Sequence, residues 1–309
     1  MYQALPAKLK PKKQTSSLKR VDTLWGYLFI APSMLGFLMF VLGPLLAVFL
    51  FSLQTRNLLT GQTAFIGFEN YRVMLLEDQL FSKTMLNSLI FTAGLVPLNI
   101  IMAMTFAILL SRETVINRLF QTIYFAPVVT SAVAWAIVWR FMLQGQQGVV
   151  NQLLGIFGIN GPNWLFEPTS AMFAVIFTRA IKGVGLNMVI FLSALTNIPE
   201  DFKDAARVDG AGGWQIFRHI TFPLLAPTTL MVTIITIIGS LKVFDTIVLL
   251  TNGGPSNATT VLVYYIYYQA FRFFETGYAS ALAVILFIIA LGFTVIQWGL
   301  RRRLAYAEQ

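Results

Sequence analysis

The sequence predicts an all-α membrane protein with six transmembrane helices, and three observations predict it. The 309-residue chain is 57% hydrophobic and 11% charged, whereas soluble domains carry about 25% charged residues. Its mean hydropathy is +0.71, and its apolar residues gather into six runs, each near the roughly 20 residues that cross a bilayer. Lysine and arginine fall mainly between alternate runs, the pattern that orients a membrane protein.

The first span is expected at about 24–53, an uncharged stretch far longer than the roughly 7–15-residue apolar core of a cleavable signal peptide. The second, about 85–110, is also uncharged. The third, about 119–140, contains Pro127, Thr130 and Ser131, which interrupt it, and ends on Arg140, read as a snorkelling anchor. The fourth, about 171–195, carries Arg179 and Lys182 near its middle. The fifth, about 222–250, carries Lys242 and Asp245. The sixth is expected at about 278–300. Residues 261–271 are apolar and aromatic but too short to span, so they are expected at the membrane surface, with Tyr264, Tyr265, Tyr267 and Tyr268 suited to the interface.

Six spans put both ends of the chain on one side. That side receives Lys8, Lys10, Lys12, Lys13, Lys19 and Arg20 of a basic tail (1–23), Arg112 and Arg118, then Lys203, Arg207 and Arg218, and finally Arg301, Arg302 and Arg303 before a short tail (304–309). The opposite side receives Arg56, Arg72, Lys83 and Arg272. The positive-inside rule places both termini and the 196–221 loop in the cytoplasm. The net charge of +9 is therefore assigned to membrane orientation, not to nucleic acid.

Several function classes are excluded or disfavoured. No cysteine is present, which removes disulfides, thiolate metal sites and cysteine nucleophiles. The single histidine, His219, cannot build a histidine metal site by itself. No G-x-x-x-x-G-K-[ST] loop is present to hold nucleotide phosphates. An intramembrane enzyme lacks candidate residues, since no span carries histidine, cysteine or a carboxylate pair. An ion-coupled carrier acting alone remains a rival.

The 196–221 loop is much longer than the usual helix–helix connection of about 2–8 residues, and long ordered loops tend to carry function. Asn197 can cap a helix, Pro199 suits its first turn, and Glu200 and Asp201 suit its positive end. That helix should run to about Asp209, break at Gly210, and be followed by a second short helix around Trp214–Ile220. The plainer reading is an amphipathic connector lying at the headgroups.

Here the residues resemble a known family. Asp204-Ala205-Ala206, Asp209-Gly210-Ala211, Phe217, Ile220, Pro223 and Pro227 resemble the EAA loop of permeases in ATP-binding-cassette (ABC) sugar importers. Asp204 departs from the pattern, standing where the family usually has Glu. The block Leu241–Asp245, Leu250–Pro255, Tyr265-Ile266-Tyr267 and Ala270-Phe271 is similar to permeases related to the larger membrane subunit of the maltose transporter. The resemblance covers about 24–303. It implies the ABC importer permease fold and a non-catalytic chain. It also implies a partnership with a second permease, two cytoplasmic ATPase subunits and an extracytoplasmic solute-binding protein. No cofactor is expected on this chain, and ATP and Mg would be used by the ATPase. The coupling loop would be carried by Asp204, Ala205, Ala206, Asp209, Gly210, Ala211, Phe217 and Pro223.

Charged groups inside a span are costly and usually face a cavity or a partner. Arg179, Lys182, Gly183, Ser240, Lys242 and Asp245 are the candidates for the solute pathway. The structural alternative is that Lys242 and Asp245, three residues apart on one helical face, neutralise each other, and that Arg179 or Lys182 snorkels or pairs across the dimer. Trp135 and Trp139 could stack on sugar rings, although packing is their commoner role. The solute implied by the resemblance is a sugar or oligosaccharide. The three cations set against one anion keep open an anionic solute, such as a uronate oligosaccharide or a polyol phosphate like glycerol phosphate.

Overall fold

The computed structural model describes residues 16–305. Lys8, Lys10, Lys12, Lys13 and the residues after Ala305 lie outside the described residues, and the side chains of Lys19, Arg20 and Arg301–Arg303 are not described.

Residues up to Leu50 form one unit. Helix α1 (Ser16–Phe37) passes through a π-turn at Leu38–Leu42 into α2 (Gly43–Ser52). Pro44 explains the π-turn. A proline ring collides with the carbonyl four residues back in a regular helix, and one extra residue in the turn relieves the clash. The span Thr23–Ser52 has no buried residue in its apolar window.

The second unit begins at Phe51. A short hairpin, β1 (Gln54–Arg56) with β2 (Thr63–Phe65), leads to α3 (Glu69–Leu76) and the long α4 (Gln79–Leu109). Then come α5 (Val115–Val129), α6 (Ala132–Met142), the short α7 (Val149–Ile156) and α8 (Pro168–Thr196). Next are α9 (Glu200–Val208) and α10 (Gly213–Ile216), a second π-turn at Phe217–Thr221, and α11 (Phe222–Leu224). Helices α12 (Ala226–Leu241), α13 (Asp245–Leu250), α14 (Leu262–Phe271) and α15 (Thr276–Ala305) complete the chain. The second π-turn also ends two residues before a proline, here Pro223.

Among the described residues four helices are long and apolar enough to cross a membrane, and the number is six if each of two bent pairs is one span. The third expected span is not a straight rod: α5 and α6 meet at 106° around Thr130 and Ser131. Thr130 is extended, and Ser131 caps α6 by accepting from the Val133 N–H. The fifth expected span is corrected further. A 64° bend separates α10–α11 from α12, and α12 stops at Leu241 instead of running to Leu250. Asp245 then opens α13, and its Oδ1 accepts from the Thr246 N–H at 2.8 Å. A carboxylate at a helix N-terminus is favourable, so a new start competes with continuation. Lys242 and Asp245 therefore do not share one helical face.

Helix α8 is the hub, with half of its apolar window buried and contacts to α4, α5, α12 and α13. Small residues make this possible. Ala180, Val184 and Gly185 are buried, and a Cβ on Gly185 would sit 2.2 Å from the Tyr124 carbonyl oxygen of α5. Small residues let helix backbones approach closely in a membrane. On the side of α8 toward α4 and α12, Asn187 Nδ2 donates to Asn99 Oδ1 and to Thr236 Oγ1, and Asn99 Nδ2 donates to the Ala180 carbonyl at 2.9 Å. These buried amides have no water to bond and are satisfied across three helices.

Asp78 forms a second knot at the start of α4. Its Oδ1 accepts the N–H groups of Leu80 and Phe81, and its Oδ2 accepts the hydroxyls of Tyr265 and Tyr278. Burial, reinforced by the Asp78 carboxylate, raises the Tyr265 phenol above its ordinary pKa, so it stays a donor. Two of the four expected interfacial tyrosines are corrected here. Tyr264 and Tyr265 are buried, because α14 packs on α4 and α15 and each hydroxyl finds a partner, Asn252 for Tyr264.

Candidate functional site

The loop between α8 and α12 is built as a helix–turn–helix. Helix α9 begins after Pro199, with Glu200 and Asp201 in its first turn. Asn197, expected as its cap, instead closes α8, its N–H donating to the Ala194 carbonyl. Asp209 is the C-cap of α9, and Gly210 follows with φ +82°. The Gly210 N–H donates to the Arg207 carbonyl at 3.0 Å and the Ala211 N–H to the Ala206 carbonyl at 2.9 Å. This paired closure needs a left-handed residue at Gly210. Gln215 Oε1 then accepts from the Gly212 N–H at 2.8 Å and starts α10.

The two arms enclose a hollow of about 320 Å³, lined by Ala206, Asp209, Gly210 and Ala211 on one arm and by Gln215, Ile216, His219 and Ile220 on the other. The loop leaves apolar side chains uncovered: Val208 is 88% exposed and Trp214 69% exposed. Trp214, Phe217 and Phe222 pack in sequence with tilted rings, their centroids 5.3 and 6.0 Å apart. Asp204 pairs with Arg207 at 2.6 Å on the exposed face of α9, a surface ion pair of little stabilising value. Ala205 is exposed, Ala206 half-buried and Pro223 exposed. Seven of the eight loop residues singled out from sequence lie on this helix–turn–helix. Pro223 lies just after it, in α11 on the way to α12.

The intramembrane candidates divide into three groups. Lys182 is occupied by backbone. Its Nζ donates to the carbonyl oxygens of Pro127 at 3.0 Å and Thr130 at 2.9 Å, and lies 5.6 Å from the centre of the Trp135 ring. Ser240 is buried between α12 and α4, donating to the Ile237 carbonyl at 2.7 Å and bonded to Thr92 Oγ1 at 2.9 Å. Gly183 faces the Asn99 amide. The half-buried Arg179 and exposed Lys242 form no ion pair among the described residues, so the expected neutralisation of Lys242 by Asp245 is not formed. Trp135 and Trp139 are packing residues: Trp139 is buried in the cluster with Phe91 and Val175, and Trp135 packs against it. Arg140 lies in the last turn of α6, exposed beside Ile137, Phe141 and Phe166.

Sequence reading missed the Asn99–Asn187–Thr236 network and Asp78. An amide in an uncharged run was the available signal, since polar side chains there must find partners. Val208 and Trp214 were also missed, although an apolar residue on a charged nine-residue helix is a visible anomaly.

Comparison with known proteins places this geometry in a family. Residues 96–306 match the family described as binding-protein-dependent transport system inner membrane component. The arabinooligosaccharides transport permease AraP of Bacillus subtilis (strain 168) is 33% identical over 273 residues, 87% of this chain and 86% of that protein. The lactose transport permease LacF of Rhizobium radiobacter is 35% identical over 290 residues, 92% of this chain and 96% of that protein. The trehalose/maltose transport permease MalF of Thermococcus litoralis (strain ATCC 51850 / DSM 5473 / JCM 8560 / NS-C) is 31% identical over 91% of this chain and 95% of its own length. Among solved structures, a chain of a bacterial ABC transporter that imports the acidic polysaccharide alginate superposes with a TM-score of 0.81, covering 94% of this chain and 99% of that one. At 24% identity that likeness speaks for the fold. The matched segment, the relatives and the shared helical architecture together mean that this chain belongs to the inner-membrane permeases of binding-protein-dependent ABC transporters, multi-pass subunits of a non-catalytic family.

Proposed function

We propose that this chain is the transmembrane subunit of an ATP-driven importer that translocates a sugar or oligosaccharide delivered by an extracytoplasmic binding protein. The observation that carries the reading is that relatives named for arabino-oligosaccharides, lactose and trehalose/maltose all match over most of its length. A second, similar permease completes the pore, and two ATPase subunits engage the loops. ATP and Mg act on the ATPase, and this chain binds no cofactor and catalyses no reaction. The exposed Val208 and Trp214 and the hollow between the two arms support the loop as the ATPase dock. The test is uptake by the whole transporter of a labelled panel: arabino-oligosaccharides, lactose, maltose and trehalose. Uptake of at least one, abolished by an ATPase-dead partner, is expected. Uptake that persists with the dead ATPase would instead mean an ion-coupled carrier.

A second reading, an acidic solute, rests on Arg179 and Lys242 having no anionic partner among the described residues. In this reading Arg179, Lys242 and Asp245 border the path, with Gly183 and Ser240 behind them. A charge-assisted hydrogen bond contributes about 1.5–3 kcal/mol, so Arg179→Gln should lower uptake of a uronate oligosaccharide by about tenfold or more and spare neutral sugars. Equal uptake of every sugar by wild type and Arg179→Gln would remove Arg179 from the path.

Both termini are proposed to be cytoplasmic. Because the chain has no cysteine, single cysteines report topology directly. Cysteines at Gln62 and Asn257, both exposed, should react with a membrane-impermeant thiol reagent in intact cells, and cysteines at Gln3 and Gln309 should not. Labelling of Gln309→Cys from outside would overturn the orientation.

A further inference from the structure

The geometry points to Lys182 as a positioning residue: its ammonium is a tethered counter-cation that locks the elbow of the broken third span to the middle of α8. Helix α5 ends at Val129, within the expected third span, and Thr130 leaves the helix in an extended conformation. The last carbonyls of a helix carry partial negative charge and lack intrahelical donors. At membrane depth lipid cannot supply them, so protein or a water-lined cavity must. Two donors do so here. Thr130 Oγ1 donates to the Pro127 carbonyl at 2.7 Å, and Lys182 Nζ donates to the carbonyls of both Pro127 and Thr130.

Broken helices in ion-coupled transporters present such C-terminal carbonyls to a free cation. In this chain the cation is covalently part of α8. The site is filled by a side chain, which leaves these two carbonyls poorly placed to serve a coupling ion. The Trp135 ring, on α6, flanks the ammonium from the far side of the bend, so one charged group touches both arms of the elbow and the hub helix.

The position along α8 gives this contact a mechanical meaning. Lys182 lies fourteen residues from each end of Pro168–Thr196. Three residues further along the same face, Gly185 meets the α5 backbone, so α8 grips α5 by charge at one turn and by close packing at the next. The C-terminal end of α8 leads within four residues into α9. Displacement of the loop would pull α8, and Lys182 would carry that displacement to the elbow and to α6. This role rests on the permease reading for its purpose. The lock itself does not depend on that reading.

The experiment uses the assembled transporter in native membrane vesicles. Ala132, half-buried at the start of α6, is replaced by cysteine, and its rate of modification by N-ethylmaleimide reports opening of the elbow. A partly buried charge at a helix C-terminus is strong enough to shift such an opening by about tenfold. Lys182→Met should therefore raise the rate by about tenfold, Lys182→Gln by less because it keeps N–H donors, and Lys182→Arg should stay within about twofold of wild type. Maximal uptake should fall in the same order, with the half-saturating concentration of the transported sugar unchanged. Unchanged Ala132→Cys reactivity in both Lys182→Met and Lys182→Gln would overturn the lock. A raised half-saturating concentration with an unchanged maximal rate and a closed elbow would also overturn it, and would make Lys182 a solute contact. If Lys182→Met does not assemble, Lys182→Gln against Lys182→Arg gives the same decision.

Discussion

Gly185→Ala is expected to loosen α5 from α8 and to lower the melting temperature of the detergent-solubilised protein. The added Cβ would sit 2.2 Å from the Tyr124 carbonyl oxygen, 2.8 Å from the Phe125 Cα and 2.9 Å from the Tyr124 carbonyl carbon. All three are backbone atoms, so no side chain can rotate out of the way and one helix must move. Overpacking of this kind costs about 1–3 kcal/mol, and Gly185→Val should cost more. The displacement would also draw the Pro127 and Thr130 carbonyls away from Lys182. Gly292→Ala is the matched control, because nothing lies within 4 Å of its added Cβ. In a helix interior that exchange is neutral or stabilising, by about 0.5–1 kcal/mol. Equal melting temperatures for Gly185→Ala and Gly292→Ala would show that α5 and α8 do not approach this closely.

Gly210→Val is expected to uncouple ATP hydrolysis from uptake. Gly210 has φ +82°, and nothing lies within 4 Å of a Cβ built there. Any defect therefore comes from backbone conformation or from the docked partner, not from a clash within this chain. A left-handed residue other than glycine costs about 1–2 kcal/mol, and β-branching adds to it. The strain would open the two hydrogen bonds that close α9 and would swing the α10 arm, reshaping the hollow. A graded series separates the causes. Asparagine tolerates the left-handed region, so Gly210→Asn should retain more uptake than Gly210→Ala, and Gly210→Ala more than Gly210→Val. If all three lose uptake equally while the loop keeps its shape by cysteine cross-linking, the partner's need for a bare backbone is the cause. If Gly210→Val keeps full uptake and normal assembly, the loop is not the dock.

Much of the candidate site was legible in the residues themselves. The helix–turn–helix of the 196–221 loop could be read because its signals are local, with a proline start, acidic first turn and glycine stop within a few residues of one another, whereas the coupling positions from Asp204 to Pro223 rest on the resemblance to the EAA pattern. The break after Val129 was signalled by Pro127, Thr130 and Ser131, although not its 106° angle. The fifth span misled for a definable reason. Periodicity sees an apolar run interrupted by two charges and reads one helix, whereas Asp245 supplies the first turn of a separate α13. Tyr264 and Tyr265 misled likewise, since the packing of α14 on α4 and α15, and the Asp78 carboxylate that meets Tyr265, come from residues far away in sequence.

Composition and charge placement by themselves determined that this is a membrane protein of about six spans with a folded polar loop, because bilayer thickness and the exclusion of charge act on each segment independently. Only the tertiary structure decided what the polar groups inside the spans do. Lys182 meets carbonyls more than fifty residues away, Ser240 meets Thr92, and Asn187 meets Asn99 and Thr236. Their energies depend on which helices are neighbours. Neighbourhood in a bilayer is set by close contacts such as Gly185 against Tyr124, which no single segment encodes.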